Sequence, residues 1–420
     1  PGSDTLIASR NVVDLQKGAT SSATDSISLA TVPTGTYYVG MYADDLFQIS
    51  EVNEGNNAKA SPSAFDIGPN LKEILLSATI SGGNISISDT VQNVGSAVAT
   101  APFNVSFYFS ADTTFGVGDT LIGSRTVTSD LAANGTSSAS TSLPIPPALA
   151  VGTYYVVSVA DSGNAVTETN ETDNTRATSG TYAIGPDLVV FSLVATPSGG
   201  NVSASDTERN QGNQAAGPFE VSFYLSSDNT LDGGDLLIGS RTVAAGLAVN
   251  ATNSASTTLS LASASPGDYF LCALSDSGTA VPETNDTNNS KCATTVLHVG
   301  PDLKVFSLTI SKSAGNVSVS DTEQNAGNQT AGAATVTFYL SLDQTLDGGD
   351  VLLGSRNFPS LAVNTTNSGT NLFTPPGGTA AGNYYVIAVT DSGNVVTENN
   401  STGTGETNNT LVSSITVPIP

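Results

Sequence analysis

A phrase that returns at a fixed interval constrains this chain more than any other feature. The residues from Phe223 to Gly239 run through Thr230-Leu231-Asp232-Gly233-Gly234-Asp235 and read as strand, acidic loop, strand. The phrase recurs as Phe338-Tyr339-Leu340, Asp343, Asp347-Gly348-Gly349-Asp350 and Gly354-Ser355-Arg356. A weaker version is Phe107-Tyr108-Phe109, Asp112, Gly118-Asp119 and Gly123-Ser124-Arg125, and its second half alone opens the chain as Asp4-Thr5-Leu6-Ile7-Ala8-Ser9-Arg10. Arg10, Arg125, Arg241 and Arg356 lie 115 or 116 residues apart. A period that constant marks one domain copied in tandem.

Full copies begin at Gly68-Pro69-Asn70-Leu71, Gly185-Pro186-Asp187-Leu188 and Gly300-Pro301-Asp302-Leu303. In the copy that starts at Pro186, seven segments alternate apolar with small or polar residues: 188–195, 201–208, 219–225, 236–244, 253–261, 268–274 and 293–298. On the second of these, Val202, Ala204 and Asp206 share a face, and Asn210-Gln211-Gly212-Asn213 follows as a turn in which Gly212 can take a positive φ. Seven short strands with turn signals between them and no helical period predict an all-β chain of tandem immunoglobulin-like seven-stranded β-sandwiches. There is no Trp, so the core is expected from Val, Leu, Ile, Phe and Tyr. The expected domains are a partial one over 1–68 and full ones over 69–185, 186–300 and 301–420. Strand seven runs straight into the next Gly-Pro, and proline stiffens that joint, which predicts a semi-rigid rod.

The first copy is partial. Asp4 aligns with Asp119, so the sequence begins inside the acidic loop. Strands four to seven are expected at 6–13, 24–30, 37–42 and about 58–67, without strands one to three.

Charge narrows the partners. Of 420 residues, 37 are acidic and 12 basic, giving a net charge of −25. Nucleic acid and anionic membrane both require a basic footprint, so neither is expected as a partner. No apolar run reaches the roughly 18 residues of a membrane helix, so membrane insertion is not expected either. A palette rich in Ser, Thr, Asn, Gly, Val and Ala points to an extracellular β-protein. Asn-x-Ser/Thr sequons are plentiful and include Asn84, Asn134, Asn170, Asn201, Asn250, Asn316 and Asn364. With Ser and Thr so abundant, chance accounts for most of them.

Three sets of residues could carry chemistry. Asp228, Asp232 and Asp235, and again Asp343, Asp347 and Asp350, place three carboxylates within eight residues. Such a loop could wrap calcium, a hard cation that takes six to eight oxygens; it could equally be a hairpin loop that uses Asp and Gly as turn residues. A second acidic patch lies between strands six and seven, with Glu51, Glu168, Glu283 and Glu398 at one repeat position. Its Glu and Asn side chains are expected to cap backbone N–H groups, and the recurring arginine could pair with it through a bidentate bond. Cys272 and Cys292 occur in the third copy only, on adjacent strands, within reach of a disulfide; two buried thiols are the alternative. The pairs Tyr37-Tyr38, Tyr154-Tyr155, Tyr269-Phe270 and Tyr384-Tyr385 each offer one ring to the core and one outward, for cross-strand packing or for stacking on carbohydrate. Catalysis has little to work with. His298 is the one histidine, so no Ser–His–Asp arrangement can recur, and no enzyme is expected.

Together, Pro-Asp-Leu at the start of a copy, Asn-x-Gly after strand two, Phe-Tyr-Leu-Ser-x-Asp with its acidic loop, and Gly-x-Tyr-Tyr followed by Val-x-Glu-x-Asn and Asn-Asn resemble the CARDB family. The name denotes a cell-adhesion-related domain of bacteria, with similar domains in archaeal surface proteins. The resemblance covers three full copies and one half copy. It implies immunoglobulin-like beads on secreted or cell-surface proteins and brings no catalytic residues.

The expected function is that of a structural subunit of an extracellular filament or pilus-like fibre, a homopolymer assembled head to tail. Half a sandwich exposes an apolar face and bare edges, which a neighbouring subunit would complete. The surfaces involved would be Pro1, Leu6, Ile7, Tyr37 and Tyr38 at one end, with Ile419 and Pro420 at the other. The alternative is a stalk or adhesive segment of a longer adhesin, with cell-surface or matrix ligands.

Overall fold

A computed structural model describes residues 4–399 and 408–420. It contains strands and a 3-10 turn at Glu54–Asn56, with no α-helix among the described residues. Two compact units, Pro1–Gly185 and Pro186–Pro420, divide the chain at a Gly-Pro joint.

The third copy shows why the sequence folds as it does. Its strands one to seven are Leu188–Ser198, Asn201–Asn210, Phe219–Ser226, Leu236–Val243, Thr252–Ser260, Gly267–Ser275 and Ser290–Val299. Strands one, two and five form a three-stranded sheet in the order one-two-five; the other four form a sheet in the order four-three-six-seven. All these pairings are antiparallel. Alternation sets the inner faces. On strand two Val202, Ala204, Asp206, Glu208 and Asn210 are buried, and on strand three Phe219, Val221, Phe223 and Leu225 are buried opposite them. The two faces meet in a core that includes Leu188, Leu259, Leu271 and Leu297.

The second copy repeats this plan with strands Leu71–Ser81, Asn84–Asn93, Phe103–Ser110, Thr120–Val127, Thr136–Pro144 and Gly152–Val159, and a seventh split into Thr175–Ala177 and Tyr182–Ile184. The fourth copy has Leu303–Ser313, Asn316–Asn325, Ala334–Ser341, Val351–Phe358, Thr366–Phe373 and Gly382–Val389, and a seventh split into Thr410–Val412 and Val417–Ile419. Each copy closes its own core, built on Phe103, Phe107 and Phe109 in the second and on Val336, Phe338 and Leu340 in the fourth.

The first copy departs from expectation. No strand forms over 6–13 or 24–30, and the expected strand over 37–42 is broken in two. What forms is Gly35–Tyr37 paired with Phe65–Ile67, and Gly40–Tyr42 paired with Ala58–Ala60. The sheet order gives the reason. Strand four bonds to strand three alone and strand five to strand two alone, so in this copy neither has a partner among the described residues. Strands six and seven are each other's neighbours, so their ladder survives in part.

Candidate functional site

The arrangement that recurs most strictly is a polar latch between the two sheets of each full copy. Arg125, Arg241 and Arg356 project from strand four and reach Asp89, Asp206 and Asp321 on strand two of the opposite sheet. Arg125 Nε donates to Asp89 Oδ1 at 2.9 Å and Oδ2 at 2.8 Å. Arg241 Nε donates to Asp206 at 2.8 Å, and Arg356 Nε to Asp321 at 2.6 Å. The second arm of each guanidinium binds strand five: Arg125 Nη1 at Ser137 Oγ (3.2 Å), Arg241 Nη1 at Asn253 Oδ1 (2.8 Å) and Arg356 Nη1 at Asn367 Oδ1 (2.7 Å). All three aspartates are buried. A planar guanidinium with several fixed donors suits such a double grip, which a lysine could not reproduce.

This corrects the expected pairing of the arginine with the glutamate between strands six and seven. The informative signal was Asp206 on the same strand face as Val202 and Ala204. A carboxylate on an inner face needs a cation, and the recurring arginine supplies it. Arg10 occupies the matching position in the first copy. It keeps the strand-five half of the latch, with Nη1 donating to Ser21 Oγ at 3.3 Å and Nη2 to Ser21 O at 3.4 Å, but it is exposed and pairs with no aspartate among the described residues.

A second buried carboxyl accompanies each latch. It is Glu73 on strand one of the second copy, and Glu208 and Glu323 on strand two of the third and fourth. Glu73 has no hydrogen-bond partner for either oxygen, and burial first, then the Asp89 charge, pushes its pKa up to about 8. Burial likewise pushes Glu208 up to about 7. Glu323 is also raised, by burial and by the neighbouring Asp321, although it accepts a bond from Arg356 Nη2.

The glutamate between strands six and seven is a backbone cap. Glu168 accepts from the N–H of Leu71, which opens strand one, and from Asn174 Nδ2 at 2.9 Å. Glu283 does the same for Leu188 N, with Asn289 Nδ2 at 2.8 Å. Burial raises both to about 7. Glu406, part of the matching patch in the fourth copy, lies outside the described residues.

Two recurring roles escaped the sequence reading. Asn93, Asn210 and Asn325 are buried at the end of strand two with their amides fully used. Asn93 Oδ1 accepts from Asn70 N (3.1 Å) and Gly95 N (3.0 Å), while Nδ2 donates to Ala97 O (2.7 Å) and Leu131 O (2.9 Å). The glycine of Asn-x-Gly is needed for close approach: a Cβ on Gly95 would lie 2.4 Å from Asn70 N. Gly212 is not left-handed, contrary to expectation. The first tyrosine of each pair forms a corner, its hydroxyl donating to the carbonyl four residues upstream: Tyr37 to Pro33, Tyr154 to Ala150, Tyr269 to Ser265 and Tyr384 to Ala380, at 2.9–3.1 Å.

The acidic loops are turns. Asp228 Oδ1 accepts from Thr230 N at 3.0 Å, Asp232 Oδ1 from Gly234 N at 2.7 Å, and Asp235 Oδ2 from Asp232 N at 2.9 Å. Asp343, Asp347 and Asp350 repeat the set. Among the described residues no three acidic, His or Cys side chains gather where they could hold a metal ion. The geometry therefore does not assemble the expected calcium cage, because each carboxylate is turned to its own loop's N–H groups. Cys272 and Cys292 face each other across strands six and seven and are joined by a disulfide. His298 Nδ1 lies 2.8 Å from Asp268 Oδ1.

Of the residues expected at an assembly surface, Leu6 and Tyr38 are exposed, and Ile7 and Tyr37 are half-buried. Pro1 lies outside the described residues. Ile419 is a correction: it pairs with Gly382 and is buried in the fourth copy's core, so only Pro420 at that end is exposed.

The profile of the CARDB family matches residues 71–178, 185–293 and 300–413. Comparison with curated protein sequences gives no match. Among solved structures, red sea bream transglutaminase aligns at 13% identity with a TM-score of 0.23, over 48% of this chain and 28% of that one. A likeness that slight carries no argument. Among the described residues no helix is long and apolar enough to cross a membrane.

Proposed function

Because this chain belongs to the CARDB family of immunoglobulin-like, adhesion-type domains, we propose that it is a structural element of the cell exterior, a subunit of a filament in which the half-made first copy is completed by docking against a neighbouring subunit. Its recurring polar residues support a scaffold role. Recurring arginine, aspartate, asparagine, glutamate and tyrosine residues are spent on latches, caps and corners inside each full copy.

The observation that carries the filament reading is the half-made latch at Arg10. Its bonds to Ser21 match those of Arg125 to Ser137, and the open side of the guanidinium matches an aspartate on strand two. A carboxylate on the surface of a neighbouring subunit would fill that open side, and docking of this kind links subunits head to tail.

Electron microscopy of the protein released from cells tests the reading. Uniform fibres are expected, and an Arg10→Glu variant should yield separate particles. Separate particles from the unaltered protein would overturn the filament and leave a stalk.

A further inference from the structure

We infer that Asn134, Asn250 and Asn364 are attachment sites for N-linked glycans, one on each full copy. The three are equivalent: each is the third residue after the leucine (Leu131, Leu247, Leu361) that bridges to the segment before strand three, and each stands two residues before a threonine (Thr136, Thr252, Thr366). All three asparagines occupy the same turn, with left-handed φ of 64°, 61° and 60°. The turn is closed by backbone bonds from Gly135 N to Ala132 O, Ala251 N to Ala248 O and Thr365 N to Ala362 O, with the Thr365 hydroxyl also donating to Ala362 O in the fourth copy. The asparagine side chains are exposed and hold no hydrogen bond, and the threonines beside them are exposed. A transferase thus meets an amide that belongs to no internal network, on a protruding turn, with its hydroxyl partner in reach.

The structure separates these sequons from several of the others. Asn170 and Asn285 hold their own threonines at 2.7 Å, and Asn316 accepts from Thr374 at 2.7 Å. Asn84 and Asn201 sit inside a double ladder at the start of strand two. The first copy supplies an internal control. Gly18, with φ of 79°, makes the same turn without an acceptor amide. Left-handed geometry accounts for Gly or Asn at this position; it does not account for Asn in all three full copies with threonine two residues on.

Attachment joins Asn Nδ2 to the anomeric carbon of a sugar carried on a polyprenyl phosphate or pyrophosphate. The bond from that carbon to the phosphate oxygen breaks, the lipid phosphate leaves with the electron pair, and one amide proton is lost to base. Val363, beside Asn364, lies within 4 Å of the Cβ position of Gly200 in the third copy's strand one–two hairpin. A glycan there flanks the joint between the third and fourth copies.

The inference rests on the extracellular reading, so the test uses protein recovered from a surface wash of the cells that make it, with a cytoplasmic marker protein to show whether the wash is free of cell contents. Peptides spanning the three asparagines are then weighed. The expected result is added hexose-containing mass on at least two of the three, lost at Asn250 alone in a Thr252→Val variant, with the Gly18 peptide at its unmodified mass. Unmodified mass at all three in surface material, or sugar confined to Asn170 and Asn285, overturns the proposal while leaving the location intact. Absence of the protein from the wash counts against the location instead.

Discussion

Glu73 on strand one lies directly opposite Val91 on strand two, and in the next two copies the same ladder position is reversed, with Val190 opposite Glu208 and Val305 opposite Glu323. Each copy therefore places one carboxyl and one valine in this buried pair, beside the Arg–Asp latch, and either strand can carry the acid. The groups around Glu73 are Asp89, Arg125 and Arg176. Because the folded pKa is raised from 4.5 to about 8, the folded copy holds a proton that the unfolded chain has already released. The stability from the neutral carboxyl is complete below pH 4.5 and is lost as pH rises to about 8. For Glu73 the loss is on the order of 5 kcal/mol by linkage. Melting temperatures should fall between pH 5 and about pH 8 and level off above it. In a Glu73→Val variant the second copy should keep only the shallower fall that Glu168 contributes, and in a Glu73→Val, Val91→Glu exchange it should recover the steeper one. A melting temperature that rises with pH would refute the assignment.

The latch itself should be the costliest side-chain site in a copy. Arg241→Met leaves Asp206 buried without its cation, and removing one partner of such a pair costs about 3–5 kcal/mol. Arg241→Met with Asp206→Leu should recover much of that loss, since an apolar replacement leaves no charge stranded. Arg10→Met in the isolated chain should leave the melting curve unchanged, because Arg10 is exposed and pairs with no aspartate among the described residues. Denaturant unfolding of the three variants gives the comparison.

The tyrosine corner offers a smaller and cleaner measurement. Tyr384 is buried, and its hydroxyl makes one bond, to Ala380 O at 2.9 Å. Tyr384→Phe should cost about 1 kcal/mol. Gly382→Ala should cost more, because a Cβ there would lie 3.3 Å from the Tyr384 ring. Together the two variants test why Gly-x-Tyr recurs in every copy.

The disulfide should prove a local staple. Cys272 and Cys292 stand where the second copy has Val157 opposite Ala177 and the fourth has Ile387 opposite Val412. Closing a loop of 20 residues is worth about 3 kcal/mol by chain entropy. Reduction should therefore lower the third copy's melting temperature without unfolding it at 25 °C, and Cys272→Val with Cys292→Ala should behave like the reduced form. Circular dichroism before and after reduction reads both.

Period and alternation made the sandwich legible. They place strand two of the third copy within two residues of its observed end and put Val202, Ala204 and Asp206 on one face. What they could not show was which strands are neighbours across the sheets, because that order is set by pairings distant in sequence. Hence the Arg241–Asp206 latch, which spans 35 residues and both sheets, was assigned to the wrong acid. The first copy failed for a related reason. Residues 6–13 and 24–30 have the strand pattern, but a pattern yields a strand only where a ladder partner exists, and theirs are strands three and two.

The acidic loops give the last test. Spacing alone suggested a cation cage, yet Asp232 and Asp235 already close their own turn through Gly234 N and Asp232 N. Calcium would have to break bonds of about 1 kcal/mol each before gaining its ligands. Melting curves in millimolar calcium and in excess chelator should therefore superimpose. Asp232→Asn, which keeps a side-chain acceptor for Gly234 N, should be nearly neutral, whereas Asp232→Ala should destabilise the loop by about 1 kcal/mol. A melting temperature that drops on chelation, and drops no further in Asp232→Asn, would restore the metal.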